Sequence, residues 1–487
     1  MPDVVVVGGG VGGMAAALRL GVAGFDVVLL ERHDHLGGKL DERTLPGGYR
    51  VDTGPSLLTL PDELDQLFRL AGSSLAEAVG PVRLDPICSY RWPDGSRFEH
   101  RADRVAAVAE AERLSAGSGA ALGRFLDRAR RVWNVAERTF LAGSMGSPSQ
   151  LARRLRSPGD LLAIDPLRTL AGRARRTFAD PRLVQWACRY ATYSGSTAAA
   201  PATLACIAHV EQAYGAWWVP GGLARLAPAL GRAVAAAGVQ VRTGVDVESV
   251  LAGSDAIRGV RLAGGEVVPA DVVIANVDAD HLYADLLPDR RALHRARRAS
   301  PSSSGFALLL GLAGRTEGLG HHTVLFSDPA GYVAELAATT VPRDPTVYVA
   351  NASATDPTVA PAGHESWFVL VNVPAGARAD WDAYRDHVLD VLAARGLDLG
   401  GRLRAVGVVT PEEIADRYRA RGGAIYGTSS SGRRAAFLRP GNRGPRRGLY
   451  LVGGSSHPGG GLPLVARSGA IVARMVAEDA GRRTVDP

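Results

Sequence analysis

Val4-Val5-Val6-Val7-Gly8-Gly9-Gly10-Val11-Gly12-Gly13 sets the interpretation of everything that follows it in the chain. An uninterrupted β-branched run predicts a strand buried on both faces. It enters glycines that satisfy G-x-G-x-x-G at Gly8, Gly10 and Gly13. Met14 to Val22 then reads as a helix rich in alanine and leucine, with Gly24 as its stop, and a second strand from Asp26 to Leu30 ends in Glu31. Each part has a physical reason. The first glycine permits the tight turn, the second lets backbone approach a pyrophosphate, and the third lets helix pack on strand. The helix N-terminus faces the anion, and Glu31 falls where a carboxylate accepts ribose hydroxyls. Glycines alone also fit a flexible loop; strand, loop, helix, strand and acid in this order predict a dinucleotide-binding βαβ unit.

The fingerprint does not separate NAD from FAD, and the residues beyond it are needed. Glu31-Arg32 runs on to Gly37-Gly38-Lys39, and later comes Asp52-Thr53-Gly54-Pro55-Ser56. Further along, Val219-Pro220-Gly221-Gly222 precedes a helical stretch from Leu223 to Ala237. A short strand over 239–244 follows, then Val247, Val250 and a turn at Gly253. Gly264-Gly265 divides two strand-like runs as in a hairpin, and 270–276 is another buried strand. Near the far end, Leu449 to Val452 leads into Gly453-Gly454. The segment His457-Pro458-Gly459-Gly460-Gly461-Leu462-Pro463-Leu464 then opens a helix over Val465 to Glu478. A strand, a glycine loop and a helix N-terminus again make a place for something flat and anionic.

Composition narrows the class. A chain of 487 residues is too long for one core and predicts two or more lobes. Its 46% hydrophobic and 22% charged residues are ordinary for a globular enzyme. No apolar run approaches the ~18 residues of a membrane span. Met1-Pro2-Asp3 carries no basic region, and the apolar stretch after it breaks at Gly8, so no secretory signal is expected. Cys88, Cys188 and Cys206 show no metal-type spacing and read as reduced core thiols, which points to the cytoplasm and to no metal site. The formal charge is +7, and Lys39 is the only lysine. Within 152–177, Arg153, Arg154, Arg156, Arg168, Arg173, Arg175 and Arg176 interleave with leucines. Such a stretch suits either an anionic membrane surface or a solvated helical face. With 6% aromatics and no nucleic-acid motif, nucleic acid is not expected as a partner.

The piece Glu31-Arg32 to Gly37-Gly38-Lys39 resembles the extension of the amine-oxidase-like flavoprotein superfamily, which implies FAD. The whole chain resembles the bacterial-type phytoene desaturases, the carotenoid desaturase family of that superfamily. Tyr190-Ala191-Thr192-Tyr193-Ser194-Gly195, Ala200-Pro201-Ala202-Thr203, His209-Val210-Glu211, His321-His322, Asp344-Pro345-Thr346-Val347-Tyr348 and the His457 loop carry the likeness. There are departures. The loop reads Val452-Gly453-Gly454-Ser455-Ser456, and its Pro463-Leu464-Val465 wording resembles subgroups acting on modified or shorter carotenoids. Ser196-Thr197-Ala198 also stands where many relatives carry a proline.

The resemblance implies an α/β fold: a Rossmann-like two-dinucleotide-fold FAD domain with a mixed α+β substrate lobe and a helical, membrane-facing cap. The FAD domain would be discontinuous, over 1–75, 205–295 and 416–487, with 76–204 and 296–415 forming the substrate lobe. It implies desaturation of a carotenoid or related polyene by hydride transfer to flavin N5, with electrons passed to oxygen or a quinone. A carotenoid cis–trans isomerase and a 3,4-desaturase or terminal oxidase are the alternatives, and peripheral attachment to the membrane from the cytoplasm is expected. Gly8, Gly10, Gly13, Glu31, Arg32, Gly37, Gly38 and Lys39 would hold FAD, with Val247 at the adenine. Gly54, Pro55 and Ser56 would line the flavin ring, and Gly453, Gly454, Leu462, Pro463 and Leu464 would surround ring and ribityl chain. His457 is the candidate catalytic group, with a hydrogen-bonded brace of its loop as the other role, and Arg189 and Tyr190 would border the substrate or serve packing alone.

Overall fold

The computed structural model describes residues 3–145, 148–432 and 435–483. The outermost residues of the expected FAD domain, 1–2 and 484–487, and its 433–434 lie outside them. The opening strand is Val4–Val7, and it sits in the middle of a five-stranded parallel sheet. The order is Leu449–Leu451, Val272–Ala275, Val4–Val7, Val27–Leu30, Gln240–Arg242. Pleating sends alternate residues to opposite faces. Val4, Val6, Val27 and Leu29 pack among residues of the helices Val11–Val22, Leu226–Ala236 and Leu462–Asp479. Val5, Val7, Val28 and Leu30 pack against a three-stranded antiparallel sheet over Val247–Ala252, Ile257–Leu262 and Val267–Pro269. A strand covered on both faces must be apolar throughout, which explains the unbroken valine run.

Two helices begin before their expected starts. The first runs from Val11 rather than Met14, because Gly12 and Gly13 take helical geometry in its first turn. The last runs from Leu462 rather than Val465, with Pro463 in the first turn, where proline's missing N–H costs nothing.

A second sheet of seven strands stands beside the first, in the order Leu403–Val409, Ser304–Ala313, His364–Val373, Val347–Asn351, His322–Leu325, Cys88–Arg91, Arg97–His100. It is antiparallel except where His322–Leu325 pairs with Cys88–Arg91. On one face Phe306, Leu308, Leu310, Trp367 and Val369 pack under Tyr384, Val388 and Leu392 of the helix Trp381–Ala394. The other face carries Ala307, Phe368 and Leu370 and looks into the cavity described below. The helices Ser118–Thr139, the longest, Pro181–Arg189 and Cys206–Tyr214 contribute residues to the wall of that cavity. Among the described residues no helix is long and apolar enough to cross a membrane.

Candidate cofactor and substrate cavity

The fingerprint glycines are irreplaceable for steric reasons that can be measured. A Cβ on Gly13 would stand 2.2 Å from the carbonyl oxygen of Gly8. Gly8 itself has φ +99°, and a Cβ there would stand 2.6 Å from the Asn276 carbonyl oxygen. The Glu31 carboxylate braces the loop, accepting from the Gly9 N–H at 2.6 Å and the His33 N–H at 2.9 Å. Asn276, at the end of the Val272–Ala275 strand, ties the two glycine loops together. Its Nδ2 donates to the Gly8 carbonyl at 3.0 Å, and its side chain lies under Gly12 and Gly453.

These loops open into a cavity of about 700 Å³. Gly8, Gly10, Glu31, Arg32, Gly37, Gly38, Lys39 and Val247 line one end of it. Gly54, Pro55, Ser56, Gly453, Gly454, Leu462, Pro463 and Leu464 line the next part, and Arg189 also reaches it. Beyond them the walls turn apolar. Trp133, Ala136 and Phe140 come from the helical side, as do Ile207 and Val210, and Ala307, Phe368 and Leu370 from the seven-stranded sheet. We refer to this part as the apolar arm.

Three expected site residues do something else. Gly13 is packed beneath the loop and does not line the cavity, so its part is to permit the turn. Tyr190 is 1% exposed and turned inward, donating to the Glu211 carboxylate at 2.9 Å; its neighbour Tyr193 lines the cavity instead. The exchange comes from the tight turn Tyr190–Ser194, which rotates successive side chains away from helical positions. His457 stands in the position of a brace. Its ring lies 5% exposed with Nε2 on the carbonyl of Phe140 at 2.8 Å, outside the cavity lining. Burial pulls its pKa down to about 4, and the contact with Phe140 ties the glycine loop to the helical side.

Three of the cavity's cations, Lys39, Arg32 and Arg439, are held by backbone, whereas Arg417 pairs with Asp41 and Arg419 with Asp246. Lys39 donates to the carbonyls of Ala424 at 2.9 Å and Ile425 at 3.0 Å. Burial lowers its pKa to about 8, against a smaller opposing pull from Asp278. Arg32 donates to the carbonyls of Asp416, at 3.1 Å, and Arg417. Arg439, which the sequence did not single out, donates to the carbonyls of Gly454 at 2.9 Å and Thr428 at 2.7 Å, and burial lowers it to about 10. At Leu462–Asp479 the helix start is capped by Gly461 with no side-chain acceptor, so its first N–H groups are left for a ligand at the cavity.

This set fits a flavin dinucleotide. There is a backbone cradle that a Cβ on Gly8, Gly13 or Gly37 would crowd, a buried carboxylate at the end of the second strand, backbone-held cations, and an uncapped helix N-terminus beside glycines. Glu31 and Val247 would face the adenosine, the Gly8–Gly10 loop the diphosphate, and the segments at Gly54–Ser56 and Gly453–Leu464 the flavin.

Comparison with known proteins agrees. The profile of the flavin containing amine oxidoreductase family matches residues 11–477. The 4,4'-diaponeurosporene oxygenase of Staphylococcus aureus is 33% identical over 486 residues, covering 96% of this chain and 97% of that protein. Among solved structures, putrescine oxidase bound to putrescine superposes with a TM-score of 0.66 at 14% identity, covering 99% of each chain. A conjugated-linoleic-acid-producing fatty acid isomerase from P. acnes gives 0.64 at 14% identity, over 97% of this chain and 98% of its own. These two likenesses establish the fold.

Proposed function

This chain belongs to the flavin-containing amine oxidoreductase family, and for it we propose the oxidation of a long polyene of the carotenoid class. That it is an FAD-dependent oxidoreductase follows from the family. The substrate reading rests on one observation above the others: the glycine cradle and the apolar arm are a single cavity. The full-length relative named as a diaponeurosporene oxygenase supports a polyene in that arm.

The leading reading is desaturation. When bound, FAD supplies an acceptor for a hydride from an allylic CH2–CH2 pair, and oxygen or a quinone takes the electrons onward. The chain's part is to align the polyene and keep water out. The accompanying proton passes to a neighbouring base or to a water admitted at the flavin; among the residues named for the apolar arm there is no carboxylate. A second reading, oxidation at the polyene's end, is favoured by the oxygenase relative. The division expected from the sequence suits both: a discontinuous FAD domain over 1–75, 205–295 and 416–487, and a substrate lobe from the remainder.

Peripheral attachment to a membrane is part of the proposal. Leu161, Leu162 and Leu167 are 47%, 76% and 74% exposed, among exposed Arg153, Arg156, Arg168, Arg175 and Arg176. The same segment touches the cavity wall, since Thr169 bridges Pro201. An apolar tip ringed by arginines suits an anionic bilayer from which an insoluble substrate is drawn.

Anaerobic incubation of the flavin-loaded protein with a panel of acyclic carotenes tests the reading. Loss of two hydrogens matched by flavin reduction is the expected result. Gain of oxygen in a parallel incubation under air would favour the second reading, and isomerised polyene of unchanged mass would sink both.

A further inference from the structure

One charge in the cavity is not used by the oxidation proposed above. Arg189, the last residue of the helix Pro181–Arg189, lines the cavity and is 8% exposed. Its guanidinium donates to Thr192 Oγ1 and lies 5.6 Å from the centre of the Tyr348 ring. The Nε–H is buried without an acceptor, and Arg189 forms no ion pair among the described residues. The buried carboxylate of Glu211 is occupied by the hydroxyls of Tyr190 and Tyr193. Other groups near the guanidinium, Cys88, Tyr90 and Tyr332, are kept protonated by burial and bring no negative charge.

A buried guanidinium with one N–H unmet, and with Glu211 acting on it only through space, is costly unless a ligand supplies the missing acceptor. The guanidinium itself stands among Thr192, Tyr348 and Tyr193, while Ile87, Val324 and Leu57 give the same cavity apolar lining. The ligand that completes this site is therefore long and apolar with one oxygen-bearing end. We propose that Arg189 receives a carboxylate or carbonyl oxygen on the end group of the polyene. Its planar fork suits a carboxylate in particular. The chain is then selective for end-oxygenated polyenes over hydrocarbons. The proposal rests on the polyene reading of the cavity, but not on which carbon is oxidised.

The test uses the flavin-loaded protein and three probes of one carbon skeleton: all-trans-retinoic acid, all-trans-retinal and the corresponding hydrocarbon. Dissociation constants are read from flavin absorbance and tryptophan quenching. The expected result is an advantage of about tenfold or more for the acid over the hydrocarbon. R189M should abolish it while leaving hydrocarbon affinity within about twofold, and R189K should keep part of it. Retinal separates the two oxygen sources, since a charge-driven site favours the acid and a donor-driven one accepts both. Equal binding of all three by the unmodified protein overturns the inference without any variant, so misfolding of R189M cannot shelter it. A folded R189M that keeps the acid's advantage overturns it as well. If the hydrocarbon binds and is oxidised while the acid gains nothing, this inference alone fails. If none of the probes binds and no carotene is oxidised, the polyene reading fails with it.

Discussion

The two ends of one cavity are built from different materials. At the cradle the walls are main chain: Gly8, Gly10, Gly37, Gly38, Gly453 and Gly454, with their cations anchored on carbonyl oxygens. In the apolar arm the walls are side chains from two separate layers, helices on one side and the seven-stranded sheet on the other. A Cβ at Gly8, Gly37 or Gly453 would stand 2.6, 2.5 or 2.5 Å from a neighbouring atom, whereas a leucine can become a methionine at little cost. It follows that cofactor recognition should be brittle and substrate recognition adjustable.

The strongest way to break that contrast is Gly13→Ala. The added methyl would stand 2.2 Å from a backbone oxygen that cannot move without moving the Gly8 turn. Flavin affinity should fall by on the order of a hundredfold, and the protein should purify colourless. Val210→Ala, in the arm, should leave flavin content unchanged and alter only which carotenes are accepted. A yellow Gly13→Ala protein with full flavin stoichiometry would show that the cradle is as adjustable as the arm.

A smaller effect is expected at the outer surface. Leu162→Ser with Leu167→Ser removes two side chains that are 76% and 74% exposed. If they enter a bilayer, partition onto anionic vesicles should weaken by about tenfold or more. Flavin content and thermal stability should not change, because neither side chain packs in the core. Unaltered vesicle binding in a sedimentation assay would remove the membrane from the proposal.

Legibility followed the same division. The cradle could be read because local rules govern it: a valine run needs both faces covered, glycines mark close approach, and an acid ends the second strand. The helix start at Val11 was missed because glycines in a first turn look like loop. Asn276 and Arg439 were invisible for another reason. An asparagine after a strand and an arginine among many carry no local signature, and only chain crossing brings them to Gly8 and Gly454. In the arm even the motif residues misled, since one tight turn decides whether Tyr190 or Tyr193 faces the cavity.

His457 sits where the two materials join, which makes it the finest test of the comparison. From sequence it is a titratable group in a glycine loop; in the structure its ring binds the carbonyl of Phe140, at the end of the long helix. A brace and a base differ in what pH does to them. The folded state holds the imidazole at about 4, below its ordinary 6.5, so between those values the unfolded chain binds the extra proton. The contribution to stability is complete above 6.5 and is lost as pH falls through about 4, by up to about 3 kcal/mol. His457→Gln keeps a donor for the Phe140 carbonyl but cannot titrate. Its unfolding free energy, followed by urea denaturation, should gain on the unmodified protein as the solution is acidified, while turnover at neutral pH stays within about twofold. Collapse of turnover by about a hundredfold with flavin content intact would return His457 to the chemistry, and the joint would belong to the active site.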